Sequence, residues 1–236
     1  MAGQLGKETL SAGIAHINMG PHDTPFDAHL ELLCDCSPYF DALYNERTQL
    51  EATGDPFSFP GEDPDVFAEL IGWMYRGTLS PDLESRVRLL FLFKLWVLAA
   101  KFEIPALQNA TMSLCEKRIE NKASGLITGA TVNYVYANTD PGSPPRQLVV
   151  GTWAEKGTAK QYSVHKHDFP CDILKDLCGE LFSRIENAGL GSLKGCSPSV
   201  EQFAQFSKRK QSPGEGPFTQ LGGGPGIASL ATPEQV

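Results

Sequence analysis

The sequence predicts an α+β fold: a small sheet plus a helical cluster, followed by an all-helical extension and a disordered tail. Three observations carry this. Apolar/polar alternation is confined to short stretches near the front, Ile14 to Met19 and Phe57 to Phe59, as half-buried strands require. Eleven of the twelve residues from Leu89 to Ala100 are apolar, broken only by Lys94. That run marks a helix buried on nearly all sides, since a bilayer span needs roughly 20 apolar residues. Beyond residue 188 the composition changes: 20 of the 48 residues from 189 to 236 are Gly, Pro or Ser, too few apolar side chains to offset the entropy of ordering. The boundaries read as a flexible N-terminus over 1–12, a mixed domain over 13–118, the helical extension over 119–187 and the tail over 188–236.

Taken in order, Ile14 to Met19 is the first strand, Pro21 to Pro25 a turn, and Phe26 the start of a second strand in a hairpin. Leu30, Leu32, Leu33, Cys34 and Cys36 suit a short apolar helix. Ser37-Pro38 restarts the chain, serine as an N-cap and proline in the first helical turn, and Tyr39, Phe40, Leu43 and Tyr44 form the inward face. Thr48 to Pro56 reads as a polar loop. Asp63-Pro64 caps the next helix, whose stripe is Phe67, Leu70, Ile71 and Met74, and Gly77 is its left-handed stop. Leu83 to Phe102 reads as one buried helix. Ile104-Pro105 starts another, with Leu107, Ala110 and Leu114 on one face. In the extension, Ser124 is the expected cap of a helix carrying Leu126, Ile127, Val132, Val135 and Tyr136. Ser143-Pro144 opens the helix of Leu148, Val149 and Trp153. Lys156 to His167 reads as a polar loop, and Pro170 opens a last helix with Ile173, Leu174, Leu177, Leu181, Phe182 and Ile185 on one side. In the tail, Val200 to Phe206 is at most a short helix.

Charge narrows the function. Twenty Lys and Arg against 28 Asp and Glu leave a net charge of −8. This excludes a whole-domain basic surface for nucleic acid and docking on anionic lipid, so the expected partners are proteins, with no nucleic acid and no membrane. Six cysteines, without the apolar segment that secretion needs, point to reduced thiols in a cytoplasmic or nuclear protein.

Several segments resemble one family. Phe26-Asp27-Ala28-His29-Leu30-Glu31-Leu32-Leu33 and then Ser37-Pro38-Tyr39-Phe40 resemble the BTB/POZ signature F-x-V/A-H-K/R-x-x-L followed by S-x-Y-F. Asp63 to Phe67 and Trp73-Met74-Tyr75-Arg76-Gly77 resemble that fold's third helix and its following turn. Leu98-Ala99-Ala100-Lys101-Phe102-Glu103-Ile104-Pro105-Ala106-Leu107-Gln108-Asn109 resembles its L-A-x-K-Y-x-I-x-x-L-x-N segment. The helical continuation is similar to the segment after the domain in many filamentous-fungal proteins.

The resemblance implies a non-catalytic protein–protein interaction module with no cofactor. It implies self-association, including a homodimer, or scaffolding as the use, with adaptor duty for a cullin-type ubiquitin ligase as the alternative. The expected N-terminal arm is short for a domain-swapped dimer. Cullin-binding relatives carry an apolar-x-Glu triplet after the second helix. By register that place holds Thr48-Gln49-Leu50, while Tyr44-Asn45-Glu46 lies a turn early. Tyr44, Thr48 and Leu50 are therefore the candidate partner contacts, and a cullin is expected to bind weakly.

Titratable residues offer a competing class, an enzyme with a cysteine or metal centre. His29 near Cys34 and Cys36 is the most suggestive grouping, but no second pair of ligands has metal-site spacing, and a structural histidine bonded to a backbone or hydroxyl partner is the better reading. His165 and His167 near Cys171 allow a Cys–His pair to be stated, without the orienting third group such a centre needs. Lys208-Arg209-Lys210 is a short basic cluster that reads as a solvated patch, with a nuclear import signal as the alternative. Trp73, Trp96 and Trp153 read as packing residues, one of which suits a partner surface.

Overall fold

A computed structural model describes residues 13–49, 55–85, 88–121 and 127–189. Residues 1–12, Leu50, Ser124 and the tail beyond 189 lie outside them. Three strands form one sheet in the order β2-β1-β3. β1 (Ile14–Met19) and β2 (Thr24–His29) make an antiparallel hairpin with Ile17 opposite Phe26, and β3 (Phe57–Phe59) joins β1 in parallel. Ala15, Ile17 and Met19 face the core while Ile14 and His16 face outward, the two-residue period read from sequence. The second strand begins two residues earlier than expected, at Thr24. Pro25 is tolerated there because β2 is an edge strand, where a missing N–H costs no ladder bond.

The helices are α1 (Leu30–Cys36), α2 (Pro38–Gln49), α3 (Pro64–Arg76), α4 (Asp82–Ser85), α5 (Leu89–Lys101), α6 (Pro105–Glu120), α7 (Gly129–Asn138), α8 (Pro144–Lys156), α9 (Ala159–His165) and α10 (Cys171–Asn187). Local signals account for many of their ends. The Asp63 carboxylate accepts from the Asp65 N–H, Pro64 follows at the first position, and Gly77 closes α3 at φ 72 with its N–H on Trp73 O. Only glycine takes that conformation without cost. Between α5 and α6 the chain turns through Glu103 at φ 57, with the Ile104 N–H reaching back to Ala99 O at 2.8 Å.

Five expectations are corrected. Thr48 lies in the last turn of α2 rather than in a loop, because no Gly or Pro interrupts the chain before Gly54. The stretch from Leu83 is not one helix: α4 ends at Ser85, and Arg88 is extended at ψ 149 before α5 starts. α5 is also not buried all round, since Phe91, Trp96 and Val97 are only half-buried. Thr128, rather than Ser124, caps α7 by accepting from the Thr131 N–H. The expected loop from Lys156 to His167 contains α9, capped by a box in which Thr158 and Gln161 bond each other's backbone N–H.

The buried core runs through the sheet, α1 to α8 and the start of α10, with Phe67, Phe93, Leu95, Phe102 and Val149 fully enclosed. The last helix departs from expectation at its end: Ile173 and Leu177 are buried, but Leu181, Phe182 and Ile185 are exposed. No described helix is long and apolar enough to cross a membrane.

Candidate interaction surface

The residues that carry the family resemblance sit mostly inside. Phe26 meets Phe67 edge-on at 5.1 Å. The His29 backbone N–H donates to Tyr75 Oη at 3.0 Å, and Nδ1 of the same histidine lies 2.7 Å from that hydroxyl. One phenol thus ties the end of β2 to α3. Ser37, fully buried, donates through Oγ to Phe102 O at 2.5 Å and accepts from the Phe40 N–H at 3.2 Å. Around it Tyr39, Phe40, Phe59 and Phe102 form an aromatic cluster, with Phe40 and Phe102 at 4.7 Å. Leu33, Trp73, Leu98, Ala99, Ile104 and Leu107 complete the packing.

Two of these residues reach the surface. Lys101 pairs with Glu62 at 2.5 Å, and its ammonium sits over the Phe59 and Phe102 rings at 5.6 and 5.9 Å. Asn109 is exposed on α6. Side chains spent on packing and on closed hydrogen bonds hold a shape.

Of the candidate partner contacts, Tyr44 is half-buried and Thr48 is exposed on α2. The Thr48 hydroxyl donates to Tyr44 O at 2.9 Å, so it is engaged in its own helix. Between them Arg47 lies 4.1 Å above the Phe57 ring and donates to Pro56 O and Asp55 O. The hollow beside Tyr44, shared with Ile14, Leu30 and Phe57, measures about 50 Å³, too small to receive a large apolar side chain from a partner.

The ionisable groups are placed for structure. Lys94 bonds Asp63 at 2.8 Å in a cleft of about 280 Å³ between α3, α5 and α7. Burial alone would raise the Asp63 carboxyl, but the Lys94 hydrogen bond and charge, with the Asp65 and Val66 N–H groups, hold it below the ordinary value. Burial and the nearby Glu62 and Asp63 push Tyr134 in the same cleft up to about 12. Among the described residues no three His, Cys, Asp or Glu side chains are grouped to hold a metal. His165 stacks on Phe169 at 6.3 Å and meets Trp153 edge-on at 5.9 Å.

Burial, with Asp41 and Asp35 nearby, pushes the Cys34 thiol up to about 11, and burial pushes Cys115 up to about 12. Between pH 9 and these values the folded state retains protons that the unfolded state has lost, so stability is full below pH 9 and falls as pH rises towards 12. Urea midpoints measured from pH 7 to 11 should be level at first and then decline. Cys171 and Cys178, seven residues apart on one helix face and expected from the sequence to pack in the core, are both exposed on α10; in alkylation at pH 7.5 they should react before Cys34 and Cys115. Early modification of Cys115 would show that its burial is not maintained in solution. A chelator should leave the melting temperature unchanged; metal-dependent folding would show that Cys34 and Cys36 bind a metal rather than packing as free thiols.

Sequence reasoning did not find Tyr75 as the partner of His29, 46 residues away, nor the buried Arg146. That guanidinium stacks over Tyr136 at 4.5 Å and donates to Tyr136 O and to Thr139, holding α7 to α8.

Compared with known proteins, residues 17–119 match the family model of the BTB/POZ domain. Among solved structures, the chain is similar to the BTB domain of zebrafish PATZ1, at 19% identity and a TM-score of 0.33, covering 46% of this chain and 75% of that one. No curated protein matches.

Proposed function

Because residues 17–119 are a BTB/POZ domain, a kind of domain that generally mediates protein–protein interaction, we propose that this chain self-associates or scaffolds other proteins without catalysing a reaction. The observation that carries the reading is how the signature residues are used. Ser37, Phe40, Phe67 and Phe102 are consumed by packing, and His29 is committed to Tyr75, leaving the helical surface as the working part. The exposed apolar residues Leu181, Phe182 and Ile185 and the half-buried Trp96 are anchors of the kind interfaces use. Sedimentation equilibrium on the full chain at micromolar concentration tests it. A concentration-dependent dimer supports self-association; a strict monomer that also fails to retain any protein from its native cell would sink the proposal.

Adaptor duty for a cullin is the weaker reading. With Thr48 exposed and hydrogen-bonded to its own helix, α2 offers no large apolar side chain at that turn. Forfeiting such burial costs about 1–2 kcal/mol, roughly tenfold or more in affinity. Titration against a cullin N-terminal domain should give a dissociation constant above the micromolar range. Submicromolar binding abolished by Tyr44→Ala or Leu50→Ala would make adaptor duty the leading reading.

A further inference from the structure

The seam between α6 and α8 is open along its length. Two hollows of about 520 and 420 Å³ adjoin each other there and share Glu116, Gln147 and Leu148. The α6 residues that line them recur each turn from Gln108 to Glu120, and those of α8 from Pro144 to Lys156. Twelve residues of helix make a trough about 18 Å long, the length of three helical turns.

Its chemistry is two-sided. Trp96, Met112 and Leu148 supply apolar surface, with Trp96 and Leu148 half-buried and not covered. Glu116, Glu120 and Glu155 are exposed along the rim, and none of them has an ion-pair partner among the described residues. The two cations at the trough are already engaged: Lys156 donates to Ile119 O at 2.5 Å, and Arg184 pairs with Glu180 at 2.7 Å while donating to Gly151 O.

Gly151 adds an independent observation. It lies in the interior of α8, where glycine is less stable than alanine. No left-handed backbone requires it there, and an added Cβ would meet only the Arg184 guanidinium at 4.0 Å. The fold itself does not need the missing side chain; its effect is to keep the trough deep at its middle.

We propose that this trough docks a three-turn amphipathic helix of a partner protein, apolar on one face and flanked by lysine or arginine. Such a helix would set its apolar face on the half-buried Trp96 and Leu148, above the buried Met112, and its cations against Glu116, Glu120 and Glu155. The inference rests on the interaction-module reading and specifies the partner's chemistry.

The test uses the full chain and a fluorescent 14-residue leucine/lysine peptide of helical period, with a leucine/glutamate peptide of the same apolar face as the counter-probe. Anisotropy should show the lysine peptide bound and the glutamate peptide at least tenfold weaker. Gly151→Leu, which fills the trough with a better helix former, should weaken binding at least tenfold without lowering the melting temperature. Glu116→Lys with Glu155→Lys should do the same and flatten the salt dependence. His22→Ser, in the exposed turn between β1 and β2, should change nothing. Equal binding of both peptides overturns the proposal, as does binding indifferent to the trough variants or lost in His22→Ser alone. A wild-type chain that binds no peptide overturns the trough, and leaves the module reading standing if it self-associates or retains a protein from its native cell; one that does none of these overturns both.

Discussion

Leu95→Asp is expected to abolish the cooperative unfolding transition of the chain. Leu95 lies on the inner face of α5 and has no exposed surface. α5 packs against α3, α6 and α7, so the site joins the BTB/POZ domain to the helices after it. Truncating such a leucine to alanine costs about 2–5 kcal/mol from lost transfer energy and the cavity left behind. Aspartate adds the desolvation of a carboxylate, several kcal/mol more, because Leu95 has no exposed surface. The total stability of a domain is about 5–15 kcal/mol, so the sum reaches the whole of it. Leu95→Met, which keeps the volume, should cost under about 1.5 kcal/mol. Calorimetry on the pair decides the matter. A soluble aspartate variant that melts cooperatively within a few degrees of the wild type would mean that α5 is not the centre of the core.

Ser37→Ala should produce the second-largest loss. The Ser37 hydroxyl donates to Phe102 O, 65 residues away, and accepts from the Phe40 N–H, with no solvent reaching it. Alanine keeps the shape nearly unchanged but takes the partner from a buried carbonyl and removes the side-chain cap of α2. Losing a cap costs about 1 kcal/mol, and an unsatisfied buried acceptor about 1–3 kcal/mol. The expected total is about 2–4 kcal/mol. It should appear as a lower urea midpoint with an unchanged slope, since the surface exposed on unfolding stays the same. A shift worth under about 0.5 kcal/mol would show that water replaces the hydroxyl on Phe102 O.

Most of the fold was legible where a feature is made by neighbours in the chain. Asp63-Pro64 and Gly77 mark both ends of α3, because capping involves only residues within one turn. The alternation at Ile14 to Met19 assigns the inward face of β1 for the same reason. α9 was missed although its T-x-x-Q capping box stands in the sequence; Tyr162 and Val164 are its large apolar residues and nothing in it is buried, so no apolar stripe announced it. Thr48 was placed in a loop because it is polar, yet polarity on the solvent face of α2 is no signal for a helix end.

By itself the sequence determined the three strands, most of the helices and their caps, most of the buried residues of the first half of the chain, and its resemblance to the BTB/POZ domain. These come from local propensity and from the period of apolar residues, which act at short range in the chain. Only the tertiary structure decided that Tyr75 holds His29 and that Ser37 holds the end of α5. It also placed Arg146 beneath Tyr136 and left the stripe at Leu181, Phe182 and Ile185 uncovered. Hydrogen bonds between residues 46 and 65 positions apart depend on how helices pack, and periodicity reports that a helix has an apolar face without saying what covers it. The open seam between α6 and α8 has the same origin: two helices each readable in sequence, at a separation set by the side chains of the whole core.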